Sequence, residues 1–373
     1  MNRIKTRSPF LIKYSETNLD SAVIEFYIYT GTRATDQPAS PQYTAEVEAL
    51  DNSDEIVFDA AEIIEDYLTV EFDGNYNSQM VWVDYVITPT VSTVEQAAQP
   101  EVNMEAFLGY LDHIDGAQNL SRANDTNKIL MTNTTVYVPS NSDIKIPVIS
   151  DSGYSIYYYN GSTLLQEETI SSTSESSERI HYIGLTDSLV SESLAQRALL
   201  DGGTSEVSES CLGTISIGDV DKIIVDNTTI NISTLECTKF DNYKLTFINK
   251  FGALQDIWFT GKTTDNIDLK GEGKYKRNTL SSDSYSINKH RSLNIDKNGV
   301  GKGTLSTGFL KEEFNQVFEE LMLSTKVWLE KDGVVHPIMI TDRNFKYKTQ
   351  LNEKLINYEI KIEYAYDKIN NVR

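Results

Sequence analysis

The stretch of sequence that best predicts the fold is Ala22-Val23-Ile24-Glu25-Phe26-Tyr27-Ile28-Tyr29. Its residues alternate between two faces, with Ala22, Ile24, Phe26 and Ile28 on one and Glu25, Tyr27 and Tyr29 on the other. A period of two is typical of a β-strand with one buried face. Thr30-Gly31-Thr32 follows and supplies residues that turn the chain. The stretch therefore predicts a long strand that ends in a turn.

Further strand-like stretches lie on both sides of this one. They are short and are separated by Gly, Asn, Asp and Pro: Pro9–Tyr14, Tyr43–Leu50, Glu55–Phe58 and Gln79–Thr88. This pattern is typical of a fibronectin- or immunoglobulin-like sandwich. One short helix is predicted to cover an open end of it. Asp59 and Glu62 have the spacing of a capping box, and an apolar stripe follows at Ala60, Ile63, Ile64 and Leu68.

The middle of the chain is predicted to be β-rich. Strands are expected at Lys128–Val138, Ile144–Ile149, Tyr154–Tyr159, Gly213–Ile217, Lys222–Val225 and Thr228–Ile232. Three other segments interrupt them: a Ser/Thr/Glu-rich loop or hairpin at Ser171–Ser177, a short helix at Leu189–Leu200 and a turn or linker at Asp201–Ser205.

The last third combines strands with the strongest helix pattern of the chain. Strands are expected at Tyr243–Phe247, Asp256–Thr260, Val327–Glu330, Val334–Thr341 and Ile356–Tyr366, with turns at Asn249–Gly252 and Lys331–Gly333. A helix over Leu310–Leu323 is indicated by the spacing of Phe314, Val317, Phe318, Leu321 and Met322. Residues 281–303 are polar and are expected to form a long surface loop.

These patterns together predict a mainly β, multidomain protein. It would contain antiparallel β-sandwich modules of immunoglobulin or fibronectin type, a few short helices and an α+β C-terminal domain. The predicted domains are an acidic N-terminal β-sandwich at 1–138, a β-rich middle domain at 139–237 and the α+β domain at 238–373. The exact boundaries within 100–237 stay open.

Length and composition set limits on the class of protein. The 373 residues suggest two or three domains, and 21 Tyr and 13 Phe favour strands. No apolar run of membrane-spanning length occurs, and no apolar segment follows the basic start, so we expect neither membrane insertion nor a secretory signal. Cys211 and Cys237 are expected to be free thiols in a reducing cytoplasm, although a single bridge between them is a possible alternative.

The net charge of −22 is unevenly distributed along the chain. Residues 238–373 hold 22 Lys/Arg and 18 Asp/Glu, whereas residues 1–237 hold 11 and 37. No Lys or Arg lies between Arg33 and Arg122. Such a balance counts against direct, sequence-specific nucleic-acid binding. Three interpretations stay open: a solvated acidic surface, docking onto a basic partner such as the less acidic end of another copy, and divalent cation binding.

Residues with catalytic chemistry form no recognised motif, so we expect no enzyme, no catalytic residues and no cofactor. The four histidines, none of them in a metal-binding spacing, are His113, His181, His290 and His336. Spacing alone does not exclude a Ser–His–Asp triad, but no nucleophile-elbow motif is present. The glycine pairs in Gly271-Glu272-Gly273 and Gly301-Lys302-Gly303 lack the context of a phosphate-binding loop.

Two further kinds of site were weighed against simpler explanations. Paired carboxylates could suit a glycosidase, but 55 acidic residues make any chosen pair uninformative, and the three Trp lie in strand-like segments that favour core packing. The oxygen-rich loops Asp51–Glu55 and Asp73–Asn77 could hold a cation, but neither matches the twelve-residue calcium-loop pattern. Asx turns explain both loops as well, and we predict no metal ligands.

Three groups of segments resemble structural proteins of tailed bacteriophages that infect Bacteroidetes-type hosts, including the crAss-like group. The first joins Arg7–Phe10, Ser21–Gly31 and Phe58–Leu68. The second is Asn249–Gly252 with Trp258-Phe259. The third is Trp328-Leu329 with Pro337–Asp342 and Tyr358–Ala365. The resemblance covers both ends of the chain and little of its middle.

This resemblance implies a virion component, assembled in the host cytoplasm, such as a tail, ring, collar or baseplate subunit. Its partners would be copies of itself in a ring-like homo-oligomer and other tail or neck proteins. Two alternatives stay open: a receptor- or glycan-binding adhesin, which predicts an exposed aromatic cluster in the most distal domain, and a polysaccharide hydrolase, which predicts two buried carboxylates in a cleft.

Overall fold

The computed structural model describes residues 2–50, 53–77, 80–119, 128–140, 142–149, 153–170, 180–185, 217–235, 239–271, 273–278, 280–281, 283–295, 297–344, 346–347 and 355–369. Strands make up 56% of these residues and helices 9%, so the chain is mainly β. It is multidomain and forms several separate sheets, including a curled antiparallel half-barrel.

The chain divides into two compact units that are not continuous in sequence. The first comprises Met1–Cys237, Thr246–Ile257 and Gln316–Thr325; the second comprises Thr238–Leu245, Trp258–Asn315 and Lys326–Arg373. The expected division into domains at 1–138, 139–237 and 238–373 stays a prediction.

The described strands of the first unit are, in chain order, β1 (Asn2–Lys5), β2 (Leu11–Ser15), β3 (Leu19–Tyr29), β4 (Tyr43–Glu48), β5 (Glu55–Asp59), β6 (Met80–Val91), β7 (Val94–Glu95), β8 (Val102–Phe107), β9 (Thr135–Pro139), β10 (Ile144–Ile149), β11 (Tyr154–Asn160), β12 (Thr163–Ile170), β13 (Ile180–Leu185), β14 (Lys222–Val225) and β15 (Thr228–Leu235). Two strands are divided between the units: β16 (Tyr243–Ile248) and β17 (Leu254–Phe259). Those of the second unit are β18 (Thr264–Lys270), β19 (Gly273–Lys276), β20 (Leu280–Ser281), β21 (Ser284–Tyr285), β22 (Ser292–Ile295), β23 (Asn298–Lys311), β24 (Val327–Lys331), β25 (Val334–Ile340) and β26 (Leu355–Asp367).

The described helices are short. They are α1 (Arg33–Asp36), α2 (Ala61–Glu65) and α3 (Asn315–Leu323), with 3-10 turns at His113–Asp115, Ile217–Asp219 and Glu312–Phe314. None of these described helices has the length and apolar character needed to cross a bilayer.

The first sheet has the strand order β1-β8-β6-β3-β4, with β7 paired to β6. The alternation predicted for β3 is confirmed, because one of its faces lies in the core through Ala22, Ile24, Phe26 and Ile28. The β2–β5 pair and α2 contribute to the same core and so cover the inner face of the sheet. Burying one face while leaving the other to solvent is what a period-two pattern requires.

The helix predicted after Phe58 is confirmed as α2, but its cap differs in detail. Ala60 is the residue that precedes the helix, so Asp59 lies one position further back. The Asp59 carboxylate still accepts hydrogen bonds from the backbone N–H groups of Ala61 (3.1 Å) and Phe10 (3.0 Å). It therefore ties the start of α2 to the start of β2.

The middle of the chain contains a five-stranded sheet, β12-β11-β14-β15-β9, and the separate pair β10–β13. The strand predicted at Lys128–Val138 was too long, since β9 begins only at Thr135. Residue 217, predicted to end a strand, starts a 3-10 turn. The segments predicted at 171–177, 189–200, 201–205 and 213–216 lie outside the described residues.

A seven-stranded sheet has the order β17-β16-β24-β25-β26-β23-β18. The predicted β24–β25 hairpin is confirmed, and Asp332 and Gly333 in its turn have φ values of 53° and 73°. The last strand is confirmed too, because β26 buries one face through Ile356, Tyr358, Ile360 and Ile362.

Two predictions for the last third of the chain need correction. The helix expected at Leu310–Leu323 begins as α3 only at Asn315, because Leu310 is buried in β23 and pairs with Ile356. The loop expected at 281–303 contains β22 and the first part of β23. Its side chains are polar because they lie on an exposed two-stranded ladder, and composition alone does not distinguish such a ladder from a loop.

Candidate interaction surfaces

A two-stranded ribbon extends from the sheet of the second unit, and we define it as residues 264–304. Strand β18 pairs with β23 from Thr264↔Thr304 to Lys270↔Asn298, and β19 pairs with β22 from Gly273↔Ile295 to Lys276↔Ser292, so the two ladders keep the same antiparallel register. The short β20–β21 pair lies nearer its tip. In the described part of the chain β19 and β22 pair only with each other, so both outer edges of that section are unpaired.

One face of the ribbon is apolar and exposed. Because side chains two apart share a face and the register is continuous, five apolar residues line up: Ile267, Leu269, Tyr275, Leu293 and Ile295. The exposed fractions are 57% for Ile267, 66% for Leu269, 47% for Tyr275 and 43% for Ile295. Contiguous exposed apolar side chains of this kind mark interaction sites in soluble proteins.

Glycines of β23 allow close packing at the base of this ribbon. A Cβ atom at Gly299 would lie 3.0 Å from Cγ2 of Ile267, and one at Gly301 would lie 2.7 Å from Cδ2 of Tyr364. Gly301-Lys302-Gly303 is therefore the interior of a strand beneath bulky neighbours. The Lys302 ammonium lies 2.9 Å from the Asp268 carboxylate and 3.3 Å from that of Glu363, which links three adjacent strands.

Beyond its base the ribbon is basic. Residues 270–297 hold seven Lys/Arg and three Asp/Glu. Five of the basic side chains are exposed and form no ion pair with another described residue: Lys274, Lys276, Arg277, Lys289 and Arg291. The ribbon thus presents positive charge beside its apolar face.

The outer face of the first sheet has the opposite charge. We define the acidic face by five side chains: Glu25 on β3, Glu46 and Glu48 on β4, Glu95 on β7 and Glu101 just before β8. Glu46 pairs with Val23, and Glu48 with Ser21, which places these carboxylates opposite the buried face. Half-buried apolar side chains lie among them at Val23, Tyr27 and Val86.

The pKa of the Tyr27 hydroxyl reports the electrostatics of the acidic face. It is raised above its usual value, first by partial burial and then by the negative charges of Glu25 and Glu101. No Lys or Arg occurs in sequence between Arg33 and Arg122, and the Arg33 guanidinium lies 3.3 Å from buried Asp84. A cation brought to this face would therefore find several carboxylates.

A partly exposed aromatic cluster lies on the second unit. His336 on β25 packs against Tyr364 and Tyr366 on β26, with ring centroids 5.6 and 6.1 Å away. The Tyr366 hydroxyl and Nδ1 of His336 are 2.7 Å apart, and the Lys368 ammonium lies 5.5 Å from the centroid of Tyr364. His336 is thus a packed strand residue, as predicted.

Buried carboxylates in the first unit are engaged by hydrogen bonds. Asp84 accepts from the Tyr29 hydroxyl at 2.7 Å and from the Asn103 amide at 2.7 Å, in addition to the Arg33 contact. This network fixes the end of the acidic face next to α1. Neutral and charged donors surround the carboxylate, as expected for a buried structural charge.

A second buried network lies around Asp256. Its carboxylate accepts hydrogen bonds from the Tyr76 hydroxyl (2.6 Å), the Thr246 hydroxyl (2.8 Å) and the Lys145 backbone N–H (3.2 Å). Burial, followed by the Asp256 charge, raises the pKa of Tyr76 well above its usual value. The tyrosine therefore stays protonated and acts as a structural donor.

Glu320 is a third buried carboxylate, on α3. It accepts hydrogen bonds from the Thr132 hydroxyl and from the Lys250 backbone N–H, the latter at 3.2 Å. Burial raises its pKa above the usual value, and both hydrogen bonds partly oppose that shift. These bonds hold the Asn249–Gly252 turn against α3 within the first unit.

The remaining histidines and the cysteines do not converge on one site. His113 is exposed in its 3-10 turn, and its neighbour Asp112 forms an ion pair with Lys250. His181 is buried on β13 with its ring 6.4 Å from Tyr154, and His290 is exposed in the ribbon. Cys211 and Cys237 lie outside the described residues.

The two oxygen-rich loops differ in what can be described. Asp51 and Asn52 lie outside the described residues, whereas Asp54 accepts a hydrogen bond from the Asn18 backbone N–H at 3.0 Å. Asp73 forms an Asx turn by accepting from the Asn75 N–H at 3.0 Å, which lowers the pKa of its carboxyl. Among the described residues no group of three or more His, Cys, Asp or Glu could hold a metal ion.

Two of the three Trp are core residues, as predicted. Trp82 on β6 and Trp328 on β24 are buried, and the Trp82 indole donates a hydrogen bond to the Gly31 carbonyl at 2.7 Å. Trp258 is half-buried on β17. The sequence patterns did not predict the ribbon. The alternation of Ile267 and Leu269, paired with the alternating glycines Gly299 and Gly301, could have indicated it.

No protein-family model matches the chain, and no curated protein sequence is significantly similar to it. The ribbon, the acidic face and the aromatic cluster are therefore the surfaces from which a function can be proposed.

Proposed function

We propose that the chain is a structural subunit of a tailed-bacteriophage virion. It would belong to an oligomeric tail, ring, collar or baseplate assembly held by protein–protein contacts and built in the host cytoplasm. Its partners would be copies of itself and other tail or neck proteins. In this proposal the first unit contains immunoglobulin- or fibronectin-like sandwich modules, residues 238–373 form an α+β domain, and the chain has no catalytic role.

The observation that supports this proposal is the exposed apolar face of the ribbon. Ile267, Leu269 and Ile295 are well exposed on a two-stranded ladder whose outer section has unpaired edges. A two-stranded ladder is marginally stable alone in water, and an exposed apolar face costs further stability. Both features favour a protein whose final environment includes a partner. The buried carboxylates accept hydrogen bonds that stabilise the fold, which is compatible with a structural role.

Self-association of the purified full-length chain tests this proposal. Sedimentation velocity over a rising concentration series, followed by electron microscopy of the largest species, should show closed rings or regular oligomers. A chain that stays monomeric throughout the series would contradict assembly through copies of itself. Fitting the chain into density of a whole particle would then identify the component.

The aromatic cluster supports a second candidate function, glycan binding by a β-module adhesin. Sugars stack on aromatic rings, and Tyr366 is exposed beside His336 and Tyr364. Binding of the purified chain to host-surface polysaccharide should then fall at least about tenfold in Tyr366→Ala, a loss of ~1.4 kcal/mol. An unchanged affinity, or no binding by the unaltered chain, would remove this candidate.

A further inference from the structure

We infer that the ribbon is the self-assembly element of this protein. The apolar and basic surface of the ribbon in one copy packs on the acidic face of the first sheet in a second copy. This inference rests on the proposed function, because it names the contact that would join neighbouring subunits. It makes the contact heterologous, since the two surfaces differ, and heterologous contacts generate rings when the rotation closes.

The ribbon carries an exposed apolar surface. Its apolar side chains share one face through a continuous register, and Tyr275 and Ile295 project beyond the part of β23 that β26 supports. In the described part of the chain β19 and β22 have each other as their only strand partners. Burying this face against protein would remove apolar area from water, which is the main driving force of association.

The charges of the two surfaces are opposite. The section 270–297 holds seven basic and three acidic residues, whereas four of the five glutamates of the acidic face lie in a segment, 34–121, that has no Lys or Arg at all. Opposite potentials steer association and fix which surfaces meet. One chain type carries both surfaces, so a second copy supplies the complement.

The acidic face also includes apolar side chains. Half-buried Val23 and Val86 lie among its carboxylates, with Tyr27 beside them. An apolar centre with a charged rim is the usual anatomy of a protein interface. Ile295 and Tyr275 can meet the valines. The side chains of Lys274 and Lys276 leave from the other face of β19, but they lie at its unpaired edge and are long enough to reach round that edge to the surrounding glutamates.

A charge-exchange experiment on the full-length chain tests this pairing. The ribbon variant is Lys274→Glu/Lys276→Glu, and the face variant is Glu46→Lys/Glu48→Lys. All four side chains are exposed, so both variants should fold, which circular dichroism checks. Lys361→Glu, exposed on β26 outside the ribbon, is the control for charge alone.

Each variant alone should self-associate at least about tenfold more weakly than the unaltered chain, because its two docking surfaces now repel. An equimolar mixture of the two variants should recover association, since every ribbon then meets a face of opposite charge. The control should behave as the unaltered chain does. Carbodiimide coupling between isotope-labelled and unlabelled copies should join ribbon lysines to Glu46 or Glu48 across molecules.

Two results would overturn the inference and leave the proposed function standing. In one, both variants associate as well as the unaltered chain. In the other, both fail and their mixture also fails, which would assign the ribbon to another partner. If the unaltered chain itself does not associate, the proposed function fails first and this inference fails with it.

Discussion

Asp84 shows how a single buried charge can stabilise this fold when several side chains bond to it. Its carboxylate is almost fully buried and is bonded by Tyr29, Asn103 and Arg33. A buried charge contributes to stability only while its partners remain, because an unpaired buried group keeps its full desolvation cost. No sequence pattern identified Asp84, since its partners are distant in the chain and acidic residues are common.

Asp84→Ala should lower the free energy of unfolding by about 3 to 5 kcal/mol. The substitution removes the carboxylate that accepts from the Tyr29, Asn103 and Arg33 side chains, while these groups stay largely buried. Urea unfolding measures the loss. Asp66→Ala, an exposed aspartate after α2, is the matched control and should change stability by about 0.5 kcal/mol or less. Equal effects of the two substitutions would contradict the network's role.

Glu320 gives the fold a pH dependence of a definite sign. Its folded-state pKa is raised, chiefly by burial, so the folded state binds a proton more tightly than the unfolded state does. Stability is therefore lost as the pH rises from the unfolded pKa through the folded pKa. Glu320→Gln removes the ionisation.

The stability of Glu320→Gln relative to the unaltered chain should therefore increase as the pH rises above about 4.5, the usual glutamate value. Urea unfolding at several pH values from 4 to 8 measures the trend. Glu313→Gln, exposed just before the same helix, corrects for the loss of one carboxylate. If the free energy of unfolding of Glu320→Gln relative to the unaltered chain stays constant or falls as the pH rises, burial does not raise the pKa of Glu320.

At the scale of elements, strands with one buried face were predictable and the ribbon was not. β3 and β26 alternate strictly because one side faces a core, and that alternation is visible in the sequence. The ribbon has no buried face of its own, so its residues 281–303 resemble a loop. The start of α3 was placed too early because Leu310 fits both a helix stripe and a strand, and only its partner Ile356 decides between them.

The β24–β25 hairpin allows a clean test of backbone conformation. Gly333 has φ of 73°, and a Cβ atom there would have no neighbour within 4 Å, so any cost of a side chain is conformational. Gly333→Ala should cost about 1 to 2 kcal/mol, and Gly333→Asn clearly less, because Asn tolerates left-handed backbone. Urea unfolding of both variants measures the difference, and equal costs would contradict the turn type.

At the scale of the whole molecule, composition predicted the mainly β class and the charge asymmetry, but the two compact units could not be predicted. Each unit draws on three separated segments, and β16 and β17 are divided between them. Sequence patterns give the order of elements along the chain and do not show which distant strands pair. The candidate surfaces were predictable only in part: the acidic segment was apparent in the sequence, and the ribbon was not.

Amide hydrogen exchange should show that the ribbon is locally less stable than the first sheet. In dissociated protein, amides of β19 and β22 should exchange faster than those of β3, which has a paired strand on each side and a buried face. Mass spectrometry of peptides from both regions measures this contrast. If β19 and β22 exchanged as slowly as β3 in the monomer, the ribbon would have a cover within its own chain.

The net positive charge of the ribbon has a consequence for aggregation. Open strand edges beside an apolar face are templates for edge-to-edge pairing, which leads to fibres. Lys274, Lys276 and Arg277 place like charges on every copy of that edge, so two ribbons repel each other when newly made chains are crowded. Neutral residues at these positions would remove this repulsion, so we expect such variants to form insoluble fibres more readily.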